Sequence, residues 1–166
     1  MAAAAEHAEI AGMRDLFEAV PSSLAARCGI HAREVGGVVC TAVSAFPGLL
    51  LLNRALGVGL EAPATGSDLD DIGACFRRIA TPCMVSLAPS ARPPELRSWL
   101  EQRGFALGYA RHCFVALTRL VTETCERTED RPSASYRNIL RAGFAECYLR
   151  PNFVSPQALS EEARPS

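Results

Sequence analysis

Residues 133–152 (SASYRNILRAGFAECYLRPN) switch from a helix signal to a strand signal across one glycine. Ser133 is placed to cap a helix by accepting a hydrogen bond from a first-turn amide that has no partner within the helix. Tyr136, Ile139 and Leu140 then share one face at i, i+3, i+4 spacing. Gly143 stands where a helix commonly ends with positive φ, which costs glycine little. Phe144 and the run Cys147-Tyr148-Leu149 read as the strand that follows. A chain built of such units must bury helix faces on a sheet.

The preceding residues repeat the pattern. Ile10, Met13, Leu16, Phe17 and Val20 recur at helical spacing until Pro21. A second short helix, capped by Ser22 or Ser23, runs through Leu24 and Cys28 to Gly29. Residues 35–45 (VGGVVCTAVSA) read as a strand with Gly36-Gly37 as a turn or bulge at its start. Phe46-Pro47-Gly48 is turn chemistry. Residues 49–53 read as a second, antiparallel strand and residues 53–60 as a glycine-containing loop. Ser67 with Asp70 has the shape of a capping box opening a helix. Its apolar face carries Leu69, Ile72, Cys75, Phe76 and Ile79, and Pro82 ends it. A short strand at 84–87 and a helix started by Pro93 or Pro94 and stopped by Gly104 come next. Residues 105–117 read as a strand with a bulge at Gly108, residues 121–124 as another, and residues 155–166 as a flexible tail. The expected class is α/β (α+β): a mixed, mainly antiparallel sheet flanked by helices, in one domain over residues 1–154.

Composition excludes several classes. A net charge of −1 argues against a nucleic-acid partner. All 17 basic residues are arginine, which fits the codon bias of a GC-rich genome. The longest apolar run, residues 47–52, is far too short to span a bilayer. The N-terminal MAAAA lacks the features of a signal peptide, so a cytoplasmic protein is expected. Seven cysteines without a C-x-x-C pair read as reduced thiols, and neither they nor His7, His31 and His112 have zinc-ligand spacing, so no metal is expected.

Several strings, taken in order, resemble a branch of the GNAT acyl-CoA N-acyltransferase superfamily. They are LLNRALGVG at 51–59, the helix around 72–78, MVSLAP at 84–89, WLEQRGF at 99–105, TET at 122–124, SYRNILRAGF at 135–144 and YLRPN at 148–152. The resemblance implies a GNAT-like fold, acetyl-CoA as co-substrate and acetyl transfer to a small-molecule amine. In that family the amides of an (Arg/Gln)-x-x-Gly-x-(Gly/Ala) loop at a helix N-terminus hold the coenzyme A pyrophosphate. In the family that loop lies in a central segment that is expected to be missing here. Residues 33–38 (REVGGV) approach the pattern, but fail at the last position and enter a strand. Arg119 is almost adjacent to Val121, where the family has a long segment. The resemblance therefore implies an incomplete domain whose central acetyl-CoA-binding segment is deleted. Such a deletion is expected to expose sheet edges that favour a homo-oligomer. The alternative function is a non-catalytic remnant, a pseudoenzyme or interaction module.

By resemblance, Ser135 and Asn138 are cofactor contacts, set against a plain surface helix residue and a locally bonded amide. Tyr148, or Tyr136, is a candidate acid for the leaving thiolate, set against a core aromatic. Glu123 is a candidate base, set against a solvated strand carboxylate. Asn53 and Arg54 are candidate substrate contacts, set against loop chemistry. His31 and His112 have no sequence partner. Cys113 and Cys125 are nucleophiles only with a base brought close by the fold.

Overall fold

Gly36 and Gly37 both adopt left-handed backbone, φ 55° and 80°, and this sets the first element of the sheet. Two consecutive residues with positive φ make the tight turn whose twist suits a two-residue hairpin. The turn joins β1 (Ile30–Val35) to β2 (Val38–Val43), with Val35 opposite Val38 and Ile30 opposite Val43. The single strand expected over 35–45 is thus the second arm of a hairpin. Its first arm, IHAREV, carries too little apolar alternation to read as a strand.

The computed structural model describes residues 2–116, 120–125 and 133–162. Two helices, α1 (Ala2–Glu18) and α2 (Ser22–Cys28), precede the hairpin, and Gly29 closes α2 in left-handed conformation. Residues 49–53 form turns, not the expected strand. The third strand, β3 (Arg54–Leu56), lies instead inside the stretch read as a loop. It pairs antiparallel with β2. Helix α3 (Gly66–Arg78) then carries the chain over to β4 (Met84–Ser86), which is parallel to β3. Helix α4 (Leu96–Gln102), β5 (Ala106–Ala116), β6 (Leu120–Cys125), α5 (Ala134–Arg141) and β7 (Ala145–Val154) follow. The strand order is β1-β2-β3-β4-β7-β5-β6, so the last strand is inserted between β4 and β5. Only β3 and β4 are parallel, and the class is the expected mixed, mainly antiparallel sheet with helices. In place of the flexible tail expected from residue 155, residues Pro156–Glu162 form α6, and Ala158 packs with Met84 and Val154.

The sheet is covered on both faces, as strand alternation requires. Cys40, Ala55, Val85 and Phe153 point one way and meet Leu69, Ile72 and Phe76 of α3 and Leu96 and Leu100 of α4. Val43 and Leu56 point the other way, onto Met13 and Phe17 of α1. Edge strand β1 exposes His31, Ala32, Arg33 and Glu34 in succession, a polar margin that resists pairing with another chain. No helix among the described residues is long and apolar enough to cross a membrane.

Candidate functional site

The parallel crossover is where an anion-binding loop would be expected, so its local chemistry comes first. After β3 the chain turns through Gly57 and Gly59, both with positive φ, and residues 54–59 (RALGVG) carry the Arg-x-x-Gly-x-Gly spacing expected to be missing. A side chain at Gly59 would place its Cβ 2.2 Å from the Arg92 carbonyl oxygen, so only glycine fits there. That closeness lets the Arg92 amide donate to the Gly59 carbonyl, and the Ala64 amide to the Arg92 carbonyl, both at 2.9 Å. The first turn of α3 is closed by its own side chains. The Thr65 hydroxyl accepts from the Asp68 amide at 3.3 Å, and an Asp68 carboxylate oxygen accepts from the Thr65 amide at 2.6 Å. This capping box sits two residues before the expected Ser67–Asp70 pair. Asp70 is instead bound by Arg103, whose Nε donates to it at 2.8 Å. A cavity of about 230 Å3 beside the loop is lined by Gly37, Gly57 and Gly59, with Glu61 and Asp68 as its carboxylates.

The other polar concentration lies under α1. Glu6 and Glu9 are one helical turn apart, and Ile10, Met13 and Phe17 continue their stripe onto the sheet. Both carboxylates meet arginines that rise from the strands beneath. The Arg150 guanidinium, from β7 and 0% exposed, donates to Glu6 at 3.2 and 3.3 Å and to Glu9 at 2.5 and 3.0 Å. The buried Arg54 of β3 reaches Glu9 at 2.7 Å. Tyr148, two residues before Arg150 on the same face of β7, donates its hydroxyl to Glu6.

The electrostatics follow from burial. Desolvation raises the pKa of Glu6, and the Arg150 charge and the Tyr148 hydrogen bond offset this only in part. Desolvation also acts on Glu9, but Arg150 and Arg54 together outweigh it and hold that carboxyl below its ordinary value. Burial, then the hydrogen bond to Glu6, push the Tyr148 phenol well above its usual range. Tyr148 is therefore a neutral donor fixed on a carboxylate.

The network gathers two of the residues picked out in the sequence, Tyr148 and Arg54. Neighbouring Asn53, 0% exposed, serves the backbone. Its side-chain oxygen accepts from the Val43 amide at 2.7 Å, and its nitrogen donates to the Phe46 and Pro47 carbonyls at 2.9 and 3.0 Å. Ser135 and Asn138 lie on α5 and are exposed. Tyr136 is buried on that helix and donates to Glu146 at 2.5 Å. Glu123 is the register partner of Cys113 in the β6–β5 pair, and its side chain lies outside the described residues, as do those of His112 and Cys125. Cys113 is buried. His31 is exposed on β1. Among the described residues no group of three or more His, Cys, Asp or Glu side chains could hold a metal ion.

Glu6, Glu9 and Arg150 were not among the candidates from sequence. The signal was present: two carboxylates stand in phase with the apolar stripe of α1, where charge is costly unless paired. No protein-family model, curated protein or solved structure matches the chain.

Proposed function

We propose that the chain is a non-catalytic domain of the acyl-CoA N-acyltransferase type, a scaffold retained for interaction and not for acetyl transfer. The ordered resemblance of the strings quoted above supports the ancestry. One observation carries the loss of chemistry. The first turn of α3, which begins the helix between the parallel strands, is already capped by Asp68, with Glu61 nearby. A carboxylate in that position occupies an amide that a phosphate would need, and its charge repels one. The Tyr148 hydroxyl is likewise committed to Glu6.

The second reading is transfer of an acetyl group from acetyl-CoA to a small amine. The parallel β3–β4 pair joined by α3 favours it. On that reading backbone amides polarise the thioester, the neutral amine attacks it directly, and Tyr148 must leave Glu6 to protonate the thiolate. Titration calorimetry of the full chain with coenzyme A and acetyl-CoA separates the two. The non-catalytic reading expects no saturable heat up to about 1 mM ligand, a limit of about −4 kcal/mol in binding free energy. Saturable binding below that concentration, or release of free coenzyme A thiol with any amine, overturns it.

A further inference from the structure

A separate cavity of about 400 Å3 lies on the opposite side of the sheet from α1, between the β1–β2 hairpin and α3. Its walls include two thiols, Cys40 of β2 and Cys75 of α3. Its basic side chains are His31 and Arg33 from β1 and Arg78 from α3. The register explains the convergence. Arg33 is directly opposite Cys40, and His31 is opposite Ala42. Cross-strand partners project to the same face, so the edge strand turns its cations toward the helix that carries Cys75. Arg78 is three residues beyond Cys75, on the same side of α3. Cys75 is half-buried and Cys40 is buried, and both pack in the core cluster that borders this cavity.

We propose that this cavity is a thiol–disulfide exchange site for an anionic low-molecular-weight disulfide, with Cys75 as the first thiol attacked and Cys40 as the resolving one. The guanidinium groups of Arg33 and Arg78 attract the carboxylates of the incoming molecule. The Cys75 thiolate attacks one of its sulfurs, forming a mixed disulfide while the other half leaves and takes up a proton. Cys40 then gives its proton to solvent, attacks the Cys75 sulfur and expels the second half as a thiol. In sum the protein loses two hydrogens and gains a Cys40–Cys75 disulfide, and the small disulfide becomes two thiols. The order follows from access, since a buried thiol cannot meet an incoming disulfide first. Burial also holds the Cys40 thiol well above its ordinary pKa.

Oxidised glutathione is the probe, with peptide mass spectrometry of the full chain as the readout. The wild-type chain is expected to yield a Cys40–Cys75 linked peptide without retained glutathione. Cys40→Ala is expected to trap glutathione on Cys75, and Cys75→Ala to leave Cys40 reduced. Arg33→Glu with Arg78→Glu is expected to slow the reaction roughly tenfold or more, because reversing the local charge removes electrostatic attraction. Uncharged 2-hydroxyethyl disulfide should show no such dependence. The proposal is overturned if Cys40 and Cys75 stay reduced in the wild type while Cys28 or Cys147 is modified. Linkage of Cys75 to Cys83, or a rate for glutathione indifferent to the two arginines, also overturns it. The wild-type measurements stand even where a variant fails to fold.

Discussion

Replacing Arg150 with methionine removes the cation that, among the described residues, binds both Glu6 and Glu9, while keeping an apolar side chain in the space. Its four charge-assisted contacts to Glu6 and Glu9 are lost, at 2.5 to 3.3 Å. Glu6, 1% exposed, is left with the Tyr148 hydroxyl, and Glu9 with Arg54. Removing one partner of a buried ion pair typically costs 3–5 kcal/mol, about that range here, because the remaining charge stays desolvated. For a chain of this size that lowers the melting temperature by roughly 6–20 °C. Urea unfolding can be followed through Trp99, the single tryptophan, which packs partly buried against the α3–α4 core.

The pH dependence makes the argument sharper. Without Arg150, Glu6 loses its cation while Glu9 keeps Arg54 alone of the pair, and both folded-state pKa values rise. A carboxyl raised in the folded state contributes stability that is fully present below its unfolded value, about 4.5, and is lost as pH rises through the folded value. The deficit of Arg150→Met is therefore expected to be largest near pH 7 and to shrink as pH falls toward 4. Arg150→Lys should fall between, since an ammonium cannot reproduce the two-pronged contact with Glu9. A deficit below about 1 kcal/mol, or one that does not change with pH, refutes the claim that this network holds α1 on the sheet.

The two carboxylates should respond differently to neutralisation. Glu9 is held low, so its contribution is present above its unfolded value and is lost as pH falls through its lower folded value; Glu9→Gln at pH 7 should cost about 2 kcal/mol or more in urea unfolding. Glu6 is raised, so its contribution runs the other way, and Glu6→Gln should stay within about 1 kcal/mol of wild type; equal losses would contradict the assignment. Tyr148 keeps its proton in the fold while the unfolded chain loses it near pH 10, so stability should fall by about 1.4 kcal/mol per pH unit above that point. Tyr148→Phe should lower this alkaline slope by that amount and leave the part due to the Cys40 and Cys83 thiols, which burial also raises. Asn53→Ala should cost about 1–3 kcal/mol by leaving the Val43 amide and two carbonyls without their partner, measurable as a shift in the urea midpoint.

Local signals read correctly at α5 and at Gly108, whereas α2 follows Pro21 without the expected Ser22 or Ser23 side-chain cap. Ser133 caps α5 by accepting from the Tyr136 amide at 3.0 Å, and Gly143 ends that helix unit with φ 86°. Gly108 lies at a register shift between β5 and β7, as expected of a bulge. The errors arose where the deciding partner was distant. Ser67–Asp70 and Thr65–Asp68 have the same spacing, and the choice between them follows Arg103, which binds Asp70 from α4's end. Residues 49–53 looked like a strand because they are apolar, yet Asn53 bonds back to Phe46 and Pro47 and curls them into turns. β3 is three residues long and begins with a buried arginine, so neither alternation nor hydrophobicity could mark it.

The same distance effect shaped the candidate site. Tyr148 is a candidate acid and Asn53 and Arg54 are candidate substrate contacts before a glycine loop, residue types shared by catalytic groups and by buried structural networks. What separates the two is whether a polar atom faces an open cavity or another side chain of the same fold. Here Tyr148 and Arg54 both end on carboxylates of α1, contributed by residues more than a quarter of the chain away. Asn53 ends on backbone. Locking α1 this way fixes one face of the sheet directly over β3 and β7. Among the described residues, Tyr148, Arg54 and Arg150 on that face are thereby engaged by the helix, whereas the thiols and arginines on the α3 side still line open space.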